Sequence, residues 1–136
     1  GGGIRGIIAG EVLREIESIV CTPTSKYSCL ADYFDFVGGT STGSIIAAGL
    51  AKGMMVDDIL KIYQDYGKFI FQTYWLGDPR RTKAKYNPSN LEKKLKEEFG
   101  DLTLDSRELK TFLMITTKNI GTGLTWFFTN HPNNKF

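Results

Sequence analysis

Histidine and cysteine are almost missing from this 136-residue chain, which holds one histidine, His131, and two cysteines, Cys21 and Cys29. Metal centres built on nitrogen and sulfur need such side chains clustered at ligand spacing, so no metal site is expected. The two cysteines are read as reduced, buried or half-buried thiols in preference to a disulfide. Neither sign of charge dominates: 17 Lys and Arg stand against 15 Asp and Glu. No large basic field is available to hold a polyphosphate backbone, which excludes nucleic acid as the expected partner. Long apolar runs are also lacking, the longest being 44–51, against the roughly 20 residues that cross a bilayer.

What is present suits a folded domain with a real core, since 41% of residues are hydrophobic and the length allows one domain or most of one. The sequence opens on a glycine-rich loop with no initiator Met, and such a loop needs a strand before it. The chain is therefore expected to be cut at the front, with any targeting segment out of view and the cytoplasm as default location.

Apolar Ile8, Val12, Ile16 and Ile19 at steps of four and three predict an amphipathic helix over 6–20, with Glu11, Arg14, Glu15 and Ser18 on the other side. A polar connection, 21–32, leads to a short strand at 33–37. The segment Gly38-Gly39-Thr40-Ser41-Thr42-Gly43 then gives way to a helix without charge before Lys52, expected to be surrounded by other elements and ended by Gly53. Asp57 and Asp58 open a further helix with an apolar face of Ile59, Ile62, Tyr63 and Tyr66, and Gly67 is its expected stop. After an aromatic stretch at 69–75 and a basic loop at 77–85, Asn87 and Pro88 start another helix that Gly100 ends. The runs 112–117 and 125–129 read as strands, the first buried on both faces. Helices alternating with short buried strands predict an α/β fold, a three-layer α/β/α arrangement with a mainly parallel sheet.

Two segments carry chemistry. A serine hydroxyl is a weak nucleophile, so an enzyme that uses one must expose it, activate it and stabilise the oxyanion formed on a carbonyl. Gly39-Thr40-Ser41-Thr42-Gly43 fits G-x-S-x-G between a strand pattern and a helix pattern, the context that separates a nucleophile turn from a mere glycine loop. Gly1-Gly2-Gly3-Ile4-Arg5-Gly6 has glycines that let main-chain N–H groups approach an anion, as an oxyanion hole requires. The same loop matches G-x-G-x-x-G, so a dinucleotide site is a rival, weakened because the strand that should precede it is not in the chain.

This pair of motifs resembles the patatin-like phospholipases, and the likeness continues through 34–50, the aromatic stretch near Phe71, and Lys85-Tyr86-Asn87-Pro88 with Leu91 and Leu95. The resemblance implies a lipid acyl hydrolase with a Ser-Asp dyad, no cofactor, and an acyl-enzyme intermediate. Carried onto this chain, Ser41 is the nucleophile, and the amides of Gly2 and Gly3, with that of Thr42, hold the oxyanion. Gly1, Arg5, Gly6, Gly39 and Gly43 complete the two motifs. The family's aspartate sits in an Asp-Gly motif, and no aspartate here precedes a glycine. Residues 1–136 are accordingly expected to be the front part of the domain, inactive without the remainder of it.

The partner implied is a lipid or other acyl ester. The loop with Arg80, Arg81, Lys83 and Lys85 is a candidate for peripheral contact with anionic head groups, although a solvated loop accounts for it too. Phe69, Phe71, Tyr74 and Trp75 suit either an acyl pocket or a core. Two further rivals remain: a Ser-His-Asp hydrolase completed by His131, and a catalytically silent lipid-binding or storage protein of the same fold.

Overall fold

The computed structural model of the chain describes residues 3–75 and 88–133. Strands β1 (Phe36–Thr40), β2 (Phe112–Lys118) and β3 (Thr125–Thr129) form one sheet in that order. β1 and β2 run parallel, with Phe36 opposite Phe112 and Thr40 opposite Thr116. β3 returns antiparallel on β2, so the described sheet is mixed. The return is built by the intervening turn, where the Asn119 side chain accepts the N–H groups of Gly121 and Thr122 and Gly123 takes a φ of +70°.

The helices are α1 (Gly6–Val20), α2 (Leu30–Tyr33), α3 (Gly43–Lys52), α4 (Val56–Trp75) and α5 (Pro88–Phe99). α3 packs on the sheet, α4 on α3, and α1 on α4. Val37 and Leu113 of the sheet join Ile46 and Leu50 of α3, Val56, Ile59 and Tyr63 of α4, and Leu30 of α2 in one core. The fold is α/β, and α3 is buried on most sides as its lack of charge requires. Gly53 ends α3 in the left-handed conformation, its N–H returned to the carbonyls of Gly49 and Leu50. Phe36 and Phe112, side by side on the other face of the sheet, remain partly exposed among the described residues.

Several expectations need correction. The strand begins at Phe36, not at residue 33, because 30–33 form a helical turn. The Asp32 carboxylate makes that turn by accepting the N–H groups of Ser28 and Cys29, at 2.9 and 3.2 Å, and the Ser28 hydroxyl at 2.7 Å. These bonds to the ionised form, the Ser28 hydroxyl foremost, lower its pKa to about 2. The second correction concerns α4, which runs through Gly67 to Trp75, since one glycine inside a helix costs only about 1 kcal/mol.

The face α1 buries is only partly the expected one: of Ile8, Val12, Ile16 and Ile19, Ile16 alone packs against the core. Ile8 and Ile19 are both 67% exposed and Val12 is 57% exposed, while Gly10 and Glu17 are buried and Leu13 packs on the core. Glycine is the reason, because a methyl group on Gly10 would lie 3.1 Å from Leu60 Cγ, and its absence lets α1 and α4 approach closely.

Glu17 is buried because it closes the start of α4, its carboxylate accepting the Val56 N–H at 3.0 and 3.3 Å. Burial pushes its carboxyl above the ordinary value, the Val56 bond opposes this, and Asp57 and Asp58 add to the rise. A carboxyl raised in the folded state favours folding most below its unfolded pKa, and that advantage fades as pH climbs towards the raised value. Glu17→Gln keeps an acceptor for Val56 and is expected to lose this dependence, matching the parent's Tm most nearly at low pH and exceeding it at pH 7. Glu17→Leu leaves the N–H unsatisfied and should cost about 1–2 kcal/mol at either pH. Thermal melts across pH 3 to 8 check both.

Cys21 and Cys29 are free thiols, half-buried and buried respectively. Among the described residues no helix is long and apolar enough to cross a membrane.

Candidate active site

β1 ends at Thr40 and α3 begins at Gly43, so residues 41 and 42 alone reverse the chain. Such a turn forces one residue into the left-handed region, and Ser41 takes it with a φ of +54°. It is the single non-glycine with positive φ among the described residues, a conformation that costs an L-residue roughly 1–2 kcal/mol and clusters at functional sites. The serine is exposed, and its hydroxyl makes no hydrogen bond to a described residue.

The glycine before the turn has a mechanical reason. A methyl group on Gly39 would fall 2.5 Å from the carbonyl carbon of Gly43 and 2.7 Å from Ser44 N, so the strand and the helix start touch main chain to main chain. The turn is closed by Ser44 N–H donating to the Ser41 carbonyl at 2.9 Å and Ile45 N–H to that of Thr42 at 3.2 Å. The N–H groups of Thr42 and Gly43 donate to no described main-chain acceptor.

The structure brings the opening loop to this turn although 38 positions separate Gly3 from Ser41. Gly3–Arg5 is a single 3-10 turn leading into α1, with Gly3 at a φ of +61°. The Thr42 hydroxyl lies 3.4 Å from the Gly3 carbonyl oxygen. Arg5 is exposed, whereas Gly6 faces Tyr63, whose ring would stand 2.5 Å from a methyl group added there. Gly1, Gly2 and the basic loop of Arg80, Arg81, Lys83 and Lys85 fall outside the described residues, as do the side chains of Phe69, Phe71, Tyr74 and Trp75.

One contact is not readable from the sequence. Tyr63, 3% exposed and on the core face of α4, donates its hydroxyl to the Gly3 carbonyl and lies 3.0 Å from Thr42 Oγ1. Helical periodicity places it in the apolar face and no more. The available signal is that a buried tyrosine hydroxyl needs a partner.

His131 does not approach Ser41. Its ring packs on Phe112, 4.8 Å between centroids, and Phe112 pairs with Phe36 at the start of β1. Ser41 follows the far end of that five-residue strand, roughly 15 Å of extended chain away. A Ser-His pairing within these residues is thereby excluded. A groove of about 730 Å³ lined by Lys26, Tyr27, Asp32, Lys110 and Asn130 opens at the same end as His131, away from the serine turn.

The profile of the patatin-like phospholipases matches residues 1–136. The chain is 34% identical to a cGAMP-activated phospholipase of Escherichia coli (strain TW11681), with all of this chain aligned to 39% of that protein. It is 33% identical to patatin-like protein 1 of Oryza sativa subsp. indica, over 88% of this chain and 31% of that protein. Patatin-16 of Solanum tuberosum is 30% identical over 88% of this chain and 33% of its own length. The chain thus spans about two fifths or less of the length of these relatives, and it belongs to the patatin-like phospholipase family.

Proposed function

We propose that the protein is a lipid acyl hydrolase in which Ser41 attacks the ester carbonyl of a phospholipid, lysophospholipid or related acyl lipid. The observation that carries this reading is the exposed Ser41 at a φ of +54°, on a strand-to-helix turn joined to the glycine loop through Thr42 and Gly3. Attack by Ser41 Oγ forms a bond to the carbonyl carbon, and its proton passes to a carboxylate, the family's dyad aspartate, which is not among residues 1–136. The oxyanion is met by N–H groups of Gly2 and Gly3 and by that of Thr42. Collapse of the adduct expels the alcohol with the returned proton, and water then cleaves the acyl-serine by the same route. No side chain in these steps needs a metal or an organic cofactor.

The test uses the gene product that carries these residues, assayed on a chromogenic short-chain ester and on phospholipid vesicles. Ser41→Ala is expected to remove at least about 10³-fold of turnover. Equal rates for parent and variant would discard the proposal, and would point to the silent lipid-binding alternative if both rates were nil.

A further inference from the structure

We propose that Tyr63 is a positioning residue for the hydrolytic site, its hydroxyl joining the Gly3 carbonyl to the Thr42 side chain and so holding Gly3 of the glycine loop beside the Ser41 turn. This inference rests on the reading of Ser41 as nucleophile. Glycine has more main-chain freedom than any other residue, so the Gly3 N–H keeps one direction only if something outside the loop holds that residue. Tyr63 supplies that hold. Its hydroxyl donates to the Gly3 carbonyl, and a captured carbonyl fixes the whole peptide plane, including the N–H on its far side. That N–H belongs to Ile4, and the plane carrying the Gly3 N–H follows one residue earlier, across Gly3 at its φ of +61°, so the anchor restrains it through a single residue.

The other end of the connection is the serine turn itself. Thr42 Oγ1 lies 3.0 Å from the Tyr63 hydroxyl and 3.4 Å from the Gly3 carbonyl, and Thr42 directly follows the nucleophile. Three oxygens therefore meet at one point, two of them bearing protons, and the carbonyl accepts. The anchor is rigid because the Tyr63 ring is buried and pressed on Gly6, where even a methyl group would intrude. The helix that carries Tyr63 is in turn fixed to α1 by Glu17. Loop, serine turn and α4 are thus held as one unit.

Tyr63→Phe keeps the ring and removes only the hydroxyl. It is expected to lower kcat about 10- to 100-fold, less than removal of a whole oxyanion donor, with KM within about twofold of the parent. A trifluoromethyl ketone, which forms a hemiketal oxyanion on a serine, should bind the variant about 10-fold more weakly. Its Ki does not depend on the fraction of enzyme that is folded, so a purely structural role would leave it unmoved. Unchanged kcat and Ki, or a kcat loss with Ki unchanged, would overturn the inference. If Tyr63→Phe does not yield folded protein, Thr42→Val and Thr42→Ser decide. Loss of ketone affinity in the valine variant and its retention in the serine variant support the shared hydroxyl contact, and equal behaviour of the two overturns it. Activity surviving in Ser41→Ala would instead refute the nucleophile assignment on which the inference stands.

Discussion

Gly39→Ala is expected to destabilise the fold by about 3 kcal/mol or more, a fall in Tm of about 10 °C, and to abolish hydrolysis in whatever folded protein remains. The added methyl group meets the Gly43 carbonyl and Ser44 N, atoms of the main chain that cannot rotate aside. Relief demands that α3 move away from β1, which opens the turn holding Ser41 and breaks the packing of Ile46 and Leu50 on Val37 and Leu113. The neighbouring glycine provides the control. At Gly38 the nearest atom to an added methyl group is the flexible end of Met114, at 3.5 Å. Gly38→Ala should therefore stay within about 0.5 kcal/mol of the parent and retain activity, helped by the smaller entropy of its unfolded chain. Paired thermal melts and ester assays check both, and equal losses at the two positions would disprove the main-chain collision.

Ser41→Gly is expected to gain stability while losing function. At a φ of +54° the serine carries a conformational penalty that glycine does not, offset in part by the greater freedom of glycine in the unfolded chain. The net gain should be roughly 0.5–1 kcal/mol, about 2–4 °C in Tm. Ser41→Ala keeps the strained main chain and should show no such gain, so the difference between the two variants isolates the strain. Turnover should fall at least about 10³-fold in both. A glycine variant no more stable than the alanine variant would mean that the left-handed conformation carries no cost here.

The sequence pattern was sufficient where side-chain chemistry and periodicity agree. β3 and the end of α3 at Gly53 were legible because β-branched and aromatic runs bounded by turn residues, and an uncharged helix closed by glycine, each admit one arrangement. The serine turn was legible for the same reason. What the sequence concealed depends on contact between distant segments. Nothing in the sequence marks Gly10 as the place where α1 meets α4. Nor does it mark Glu17 as the residue that closes another helix. Ile8, Val12 and Ile19 read as the buried stripe and are the exposed one. Tyr63 was recognisable as a core residue, but no periodicity announces that its hydroxyl reaches a loop 60 positions earlier.

The segments that lead into α1 and α3 meet, through Gly3 and Thr42. The aligned peptide dipoles of both helices therefore present their positive ends to the same small volume. Arg5 is the only basic residue in either start, and it faces solvent. On the proposed reading, the potential that would meet a negatively charged adduct resides in the backbone, where no titration neutralises it and no charge-reversing substitution erases it. Only a change that moves one helix start relative to the other can weaken it.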